Sequence, residues 1–227
     1  MHILHIETST KICSIAVSYG KEVLGFLDMT EGMNHTAQLA PAIEELLKSK
    51  SIKPGDLAAV SVSSGPGSYT GLRVGSSTAK AMAYALGIPL LPVPSLYALA
   101  GAAIKQQPKA QLVIPMIDAR RNEVYTAVYD QDLRELVPVS SMLLDTSSFE
   151  RILDPDKLII LCGDGSWKVD QDRLPEPTII DRSIQSSAIH LVDPAYDMFV
   201  GHRHGDILHF VPFYLKPPNI TQPRTLA

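Results

Sequence analysis

The chain is 227 residues long with 45% hydrophobic and 19% charged residues, apolar enough for one large or two small packed domains and unlike a fibre or a disordered tail. Its 20 lysines and arginines against 24 aspartates and glutamates leave a formal charge of −4, without the basic excess of a protein that grips a phosphate backbone alone. No apolar stretch reaches the roughly 18 residues of a membrane span, and the opening MHILHIETST lacks a basic n-region and a long apolar h-region, so a cytoplasmic protein with no membrane contact is expected.

Three β-rich segments open the chain, Ile3 to Glu7, Ile12 to Ser18 and Glu22 to Asp28, separated by turn formers and predicting an antiparallel meander. From Thr36 to about Lys50 the residues Leu39, Ala40, Ile43, Leu46 and Leu47 recur at helical spacing. Pro41 there marks either a kink or the start of the regular part. Leu57 to Ser64 reads as a strand, Gly65-Pro66-Gly67-Ser68 as a sharp loop, and Thr70 to Leu86 as a helix capped by Gly87. Ile88 to Val93 is strand-like and Ser95 to about Lys105 helical, which completes a ribonuclease-H-like order βββαβαβα. After the polar stretch Gln106-Gln107-Pro108-Lys109 the pattern restarts, with strands at Leu112 to Asp118, Glu123 to Tyr129 and Lys157 to Cys162, a helix from about Ser186 to Gly201, and an irregular tail from Lys216.

Several groups of residues invite a chemical reading. The glycine loop around Gly65 and Gly67 joins a strand to a helix, a geometry that can hold a phosphate, but it matches neither a dinucleotide fingerprint nor a P-loop and equally makes a tight reversal. Glu7, Thr8 and Ser9 at the first hairpin are placed for a phosphate loop or for plain turn chemistry. Gly71, Gly75, Ala79 and Ala83 form a stripe of small residues at four-residue spacing, which lies either on the protein's own sheet or against a helix of another subunit. Leu72, Met82 and Leu86 on the opposite face are then available to the core. His202, His204 and His209 lack an acidic partner at metal-site spacing and predict a solvated stretch, while Cys13 and Cys162 sit in apolar runs as buried thiols. No metal site, cofactor or G-x-S-x-G nucleophile motif is expected.

The segments ILHIETSTKICSIAV, NHTAQLAPAIEELL, GPGSYTGLRVGSSTAKAMAYALGIPL and MIDARRNEVYTAVYD, followed near the end by PFYLKP, resemble the TsaB (YeaZ) family. The resemblance implies an actin-like, ASKHA-type fold of two ribonuclease-H-like βββαβα domains. These are expected at residues 1–105, carrying the partner-binding helices, and 106–227, with an irregular tail that can pack back on the first. It further implies an accessory subunit without catalysis of its own. Such a subunit partners a TsaD-type catalytic subunit and a TsaE-type ATPase, meets tRNA only through that complex, and pairs with itself when free. The product is threonylcarbamoyladenosine next to the anticodon of tRNAs reading codons that start with A. The two histidines that hold metal in the catalytic relative align near Ser95 and Leu99, neither of which replaces them. An ATPase or sugar-kinase-like enzyme, and more remotely a metallopeptidase, are the alternatives. On the accessory reading the partner surface is expected at His35, Leu39, Ile43, Gly71, Arg73, Gly75, Ala79, Met82 and Ala83. Glu7 stands where the family more often has aspartate, Tyr69 where phenylalanine is usual, and Lys216 where arginine is.

Overall fold

The computed structural model describes residues 1–29, 35–144, 154 and 156–217. Strands β1 (His2–Glu7), β2 (Cys13–Tyr19), β3 (Glu22–Met29), β4 (Leu57–Ser63) and β5 (Leu90–Val93) form one sheet in the order β3-β2-β1-β4-β5. Strand β1 lies at its centre, antiparallel to β2 and parallel to β4, and Ile3 to Glu7 are buried because both of its faces are covered. One face presents Leu4, Ile6, Ile15, Val17, Val60 and Val62 to helices α1 (His35–Ser49) and α2 (Tyr69–Leu86). Helix α1 runs through Pro41 without a break. Helix α2 is capped by the Ser68 hydroxyl, which accepts the Gly71 N–H at 3.3 Å, and ends at Gly87 in the left-handed conformation, φ 65°, as the sequence predicts.

The opposite face of this sheet is partly polar and buried at its centre. His5 bonds through Nδ1 to the Ser61 hydroxyl (2.7 Å) and through Nε2 to the Ser18 hydroxyl (2.9 Å), and burial drives its pKa down to about 3, so the ring stays neutral. Ile3, Ala59, Leu91 and Val93 share this face with Leu191 and Ala195, from a 3-10 turn (Ala188–Leu191) and helix α4 (Val192–Val200).

Strands β6 (Leu112–Asp118), β7 (Glu123–Asp130), β8 (Glu135–Leu143), β9 (Ile159–Cys162) and β10 (Thr178–Asp181) repeat the plan as β10-β9-β6-β7-β8, again with the first strand central. Helix α3 (Ser95–Gln106) carries Ala98 toward the first sheet, whereas Leu96, Leu99 and Ala103 pack on Val113, Ile117 and Ile160 of the second. The second half departs from the first between β9 and β10. Two 3-10 turns, Asp164–Lys168 and Gln171–Arg173, stand where the first half has α2. Strands β8 and β10 are absent from the sequence reading, and the helix expected over 186–201 is divided into the 3-10 turn and α4. The chain then returns to the first sheet. Gly205 pairs with Leu90 at the β5 edge, Lys80 Nζ donates to the Phe210 carbonyl at 2.9 Å, and Phe213 N–H donates to the Ser64 carbonyl at 2.7 Å. Most of the expected tail, from residue 218 on, lies outside the described residues. Both cysteines are buried and free, and no helix among the described residues is long and apolar enough to cross a membrane.

The small-residue stripe faces inward, which corrects its place in the expected partner surface. Ala79 and Ala83 are fully buried in the core under α2, and Gly71 and Gly75 abut Thr8. Ala79→Arg therefore puts an unpaired cation in the core, at a cost on the order of several kcal/mol. The variant is expected to be insoluble or to lose its cooperative melting transition by circular dichroism.

Candidate functional site

The β1–β2 turn, the glycine loop after β4 and the start of α2 converge at the carboxyl ends of the central strands, where open α/β sheets commonly take ligands. The structure brings Glu7, Thr8, Ser9, Gly65 and Gly67 together, but it packs them against each other. Thr8 N–H donates to the Ser63 hydroxyl (3.2 Å), Ser9 N–H to Glu7 Oε1 (2.6 Å) and Ser68 N–H to the Ser9 carbonyl (2.7 Å). Gly65 N–H donates to Ser95 Oγ (3.2 Å), and Ser95 N–H returns to the Gly65 carbonyl (3.0 Å). The N–H groups of Thr8, Ser9, Gly65 and Ser68, which could help to cradle a phosphate, are thus engaged within the protein.

Close approach explains the glycines. A Cβ on Gly67 would collide with the Ser9 carbonyl, one on Gly71 with the Thr8 carbonyl, and one on Gly75 with the Thr8 hydroxyl. At Gly65, φ 100°, the Phe213 carbonyl fills the space. Among the described residues the buried Thr8 hydroxyl has no hydrogen-bond partner and is held by this packing. Glu7 is 2% exposed, and burial raises its pKa with a smaller contribution from Asp164, itself raised mainly by burial. Two carboxyls that resist ionisation repel a polyphosphate instead of attracting one when they do ionise.

Ser95 and Leu99, expected from the sequence to fall near the metal-holding positions of a catalytic relative, are each 1% exposed, the former bonded to Gly65 and the latter packed in the core under α3. His202 and His204 are exposed with ring centroids 6.0 Å apart, and His209 Nδ1 bonds Asp206 Oδ2 at 2.7 Å. Among the described residues no group of three or more His, Cys, Asp or Glu side chains is placed to hold a metal ion.

The second candidate site is the outer face of α1 and α2. An open groove of about 830 Å³ runs between them, floored by Ile43, Leu47 and Ile52 and walled by Ala40, Thr78, Ala81 and Met82, with Glu44, Lys48 and Lys53 at its rim. Of the residues expected at a partner surface, Arg73 is exposed over the Tyr69 ring (5.6 Å to the centroid) and Met82 is half-buried in the groove wall. Leu39 and Ile43 are buried, the latter forming groove floor, and the His35 side chain lies outside the described residues. Sequence reasoning missed the outward stripe Ser77, Ala81 and Ala85, exposed at the same four-residue spacing but two positions out of register with the buried one. Both stripes carried the same signal, since α2 is small-residue-rich all round.

Against known proteins, residues 17–161 match the family model for TsaD, tRNA N6-adenosine threonylcarbamoyltransferase. The chain is 30% identical over 221 residues to the tRNA threonylcarbamoyladenosine biosynthesis protein TsaB of Bacillus subtilis, covering 95% of this chain and 94% of that protein. It superposes on a Pseudomonas aeruginosa protein described as similar to the peptidase YeaZ with a TM-score of 0.80 at 27% identity, covering 95% of this chain and 99% of that one. Component A of (R)-2-hydroxyglutaryl-CoA dehydratase from Acidaminococcus fermentans shares the fold alone, with a TM-score of 0.52 at 12% identity over 88% of this chain and 99% of the other. The two mixed sheets are those of an actin-like, ASKHA-type α/β protein.

The buried acid gives a pH test. Because Glu7 is harder to ionise in the folded chain than in the unfolded one, its share of stability is present at low pH and is lost as pH rises from the ordinary glutamate pKa through the raised value. Glu7→Gln keeps an acceptor for the Ser9 N–H and cannot ionise. Its melting temperature is expected to exceed the parent's by a few degrees at neutral pH, and the difference to close near about pH 4. A variant no more stable than the parent at neutral pH would contradict this account.

Proposed function

Since the chain belongs to the TsaB (YeaZ) family, and thereby to tRNA threonylcarbamoyladenosine biosynthesis, we propose that it serves there as a non-catalytic accessory subunit. It docks and activates a TsaD-type catalytic subunit, with a TsaE-type ATPase as third component, through the outer face of α1 and α2. The observation that carries this reading is the apolar groove between those helices, with Ala40 and Ala81 on its walls and charge confined to its rim. Small side chains on an exposed helix face let another backbone come close, and an apolar centre with a polar rim is the anatomy of a protein interface. On this reading the free chain pairs with itself through the same face, a two-fold contact that partner binding then dissociates.

The reading as an ATPase or sugar kinase requires the glycine loop to hold phosphates, and the N–H groups of Gly65 and Ser68 in that loop are engaged within the protein. Purified chain is expected to release no phosphate from ATP and to cleave no peptide with added zinc, iron or magnesium. Turnover that survives repurification and disappears in a Glu7 variant would reverse the assignment.

Docking is tested at Ala81, which is exposed, so that arginine there leaves the fold intact where arginine at Ala79 does not. Ala81→Arg places a long cation in the groove wall, and affinity for the TsaD-type subunit, read by calorimetry, is expected to fall by about 100-fold or more. Threonylcarbamoyladenosine formation should fall with it, and the free dimer should dissociate in light scattering. A folded Ala81→Arg protein with unchanged partner affinity would remove this face from the interface.

A further inference from the structure

The turn joining β6 to β7 holds two arginines in a backbone conformation that favours glycine or asparagine. Arg120 and Arg121 have φ of 68° and 49°. Their surroundings fix them there. The Asp118 carboxylate accepts the Arg120 N–H at 2.6 Å, Glu123 N–H donates to the Arg120 carbonyl at 3.2 Å, and the Asn122 amide donates to the Leu144 carbonyl. Lys168 Nζ ties the two ends of the turn together, donating to the Asp118 carboxylate (2.6 Å) and to the Glu123 carbonyl (2.8 Å). Backbone strain imposed so completely tends to mark function, and what it holds here is two consecutive exposed arginines.

The neighbouring acids do not neutralise them. Asp118 pairs with Lys168 and Glu123 with Lys216, while Asp164 accepts the Asp118 N–H at 2.9 Å. Among the described residues neither Arg120 nor Arg121 has an ion-pair partner. Directly before Lys168 in the chain stands Trp167, 63% exposed, with the Arg182 guanidinium 5.2 Å from its ring centroid.

We infer that the Arg120–Arg121 turn contacts the sugar-phosphate backbone of the tRNA, with exposed Trp167, next in the chain to the Lys168 that braces the turn, as a platform for an unpaired base. The inference rests on the chain's place in tRNA modification, and it changes the expectation that tRNA is met only through partners. Guanidinium forks match phosphate oxygens two at a time, and exposed aromatic rings stack on bases that have left a helix. With a formal charge of −4 on the whole chain, the contact is local and adds to what other subunits supply. A nucleotide fits less well, because the N–H groups of Gly65 and Ser68 in the glycine loop are engaged and Glu7 and Asp164 lie there.

The experiment measures binding of the full chain to an in vitro transcribed tRNA that reads a codon starting with A, across about 50 to 200 mM salt. The parent is expected to bind weakly and salt-dependently. Arg120→Asn combined with Arg121→Gly should weaken binding about tenfold at the low-salt end and flatten the salt slope by roughly two. Its melting temperature should hold or rise, since both replacements suit the left-handed backbone. A charge-matched control at the far end of the same sheet, Lys109→Gln with Arg134→Gln, should keep affinity within about twofold, and Trp167→Ala should lower affinity at unchanged slope. The proposal is overturned by no measurable binding of the parent, by unchanged affinity and slope in the double variant, or by an equal loss in the control. Displacement of the tRNA by ATP, with loss of ATP binding in the double variant, would make it a nucleotide site instead. An inert Trp167→Ala would remove the base platform.

Discussion

The approach of α2 to the β1–β2 turn governs the rest of this molecule. Three glycines, Gly67, Gly71 and Gly75, bring helix and turn into contact with Thr8 and Ser9 at distances that no side chain could share. One consequence is chemical: the loops that in such a fold face a phosphate face each other, and their N–H groups bond within the protein. Another is geometric. With Gly71, Gly75, Ala79 and Ala83 held inward, the rotation of α2 about its axis is set, and Ser77, Ala81 and Ala85 must look outward. The same packing that joins α2 to the β1–β2 turn thus aims a close-packing surface at solvent.

Much of the first sheet is legible in the sequence because its strands are β-branched runs bounded by turn formers, and its helices carry clear stops such as Gly87. The second sheet is less so. Strand β8 is an edge strand whose residues are mostly exposed and include Pro138, so neither alternation nor a buried run announces it. Strand β10 is four residues long and follows Pro175 and Pro177, which read as loop. The direction of α2 was illegible for a different reason. Small residues surround that helix, and only the partner across the contact, Thr8, decides which of two equivalent stripes is buried. A local pattern cannot name a long-range partner.

Arg120 and Arg121 show a further limit. As sequence they are two polar residues in a hairpin, and their left-handed conformation follows from Asp118, Asn122 and Lys168 acting together, the last of them from another element of the fold. Strain of this kind is a product of tertiary structure, invisible to composition or spacing.

The two sheets share one strand order, yet they are dressed differently, and the difference distributes their surfaces. In the first half the crossovers are α1 and α2, two long helices side by side, which gives that sheet an outer face broad enough for another protein. Between β9 and β10 the second half has two 3-10 turns, too short to build such a face. What they do instead is carry Lys168 up to the β6–β7 turn, where it braces the backbone of two exposed arginines. Helix α3, with Ala98 toward one sheet and Leu96 and Leu99 toward the other, keeps both halves packed on a common element. A duplicated architecture can in this way hold one surface suited to a protein and another suited to an anion in a fixed relation.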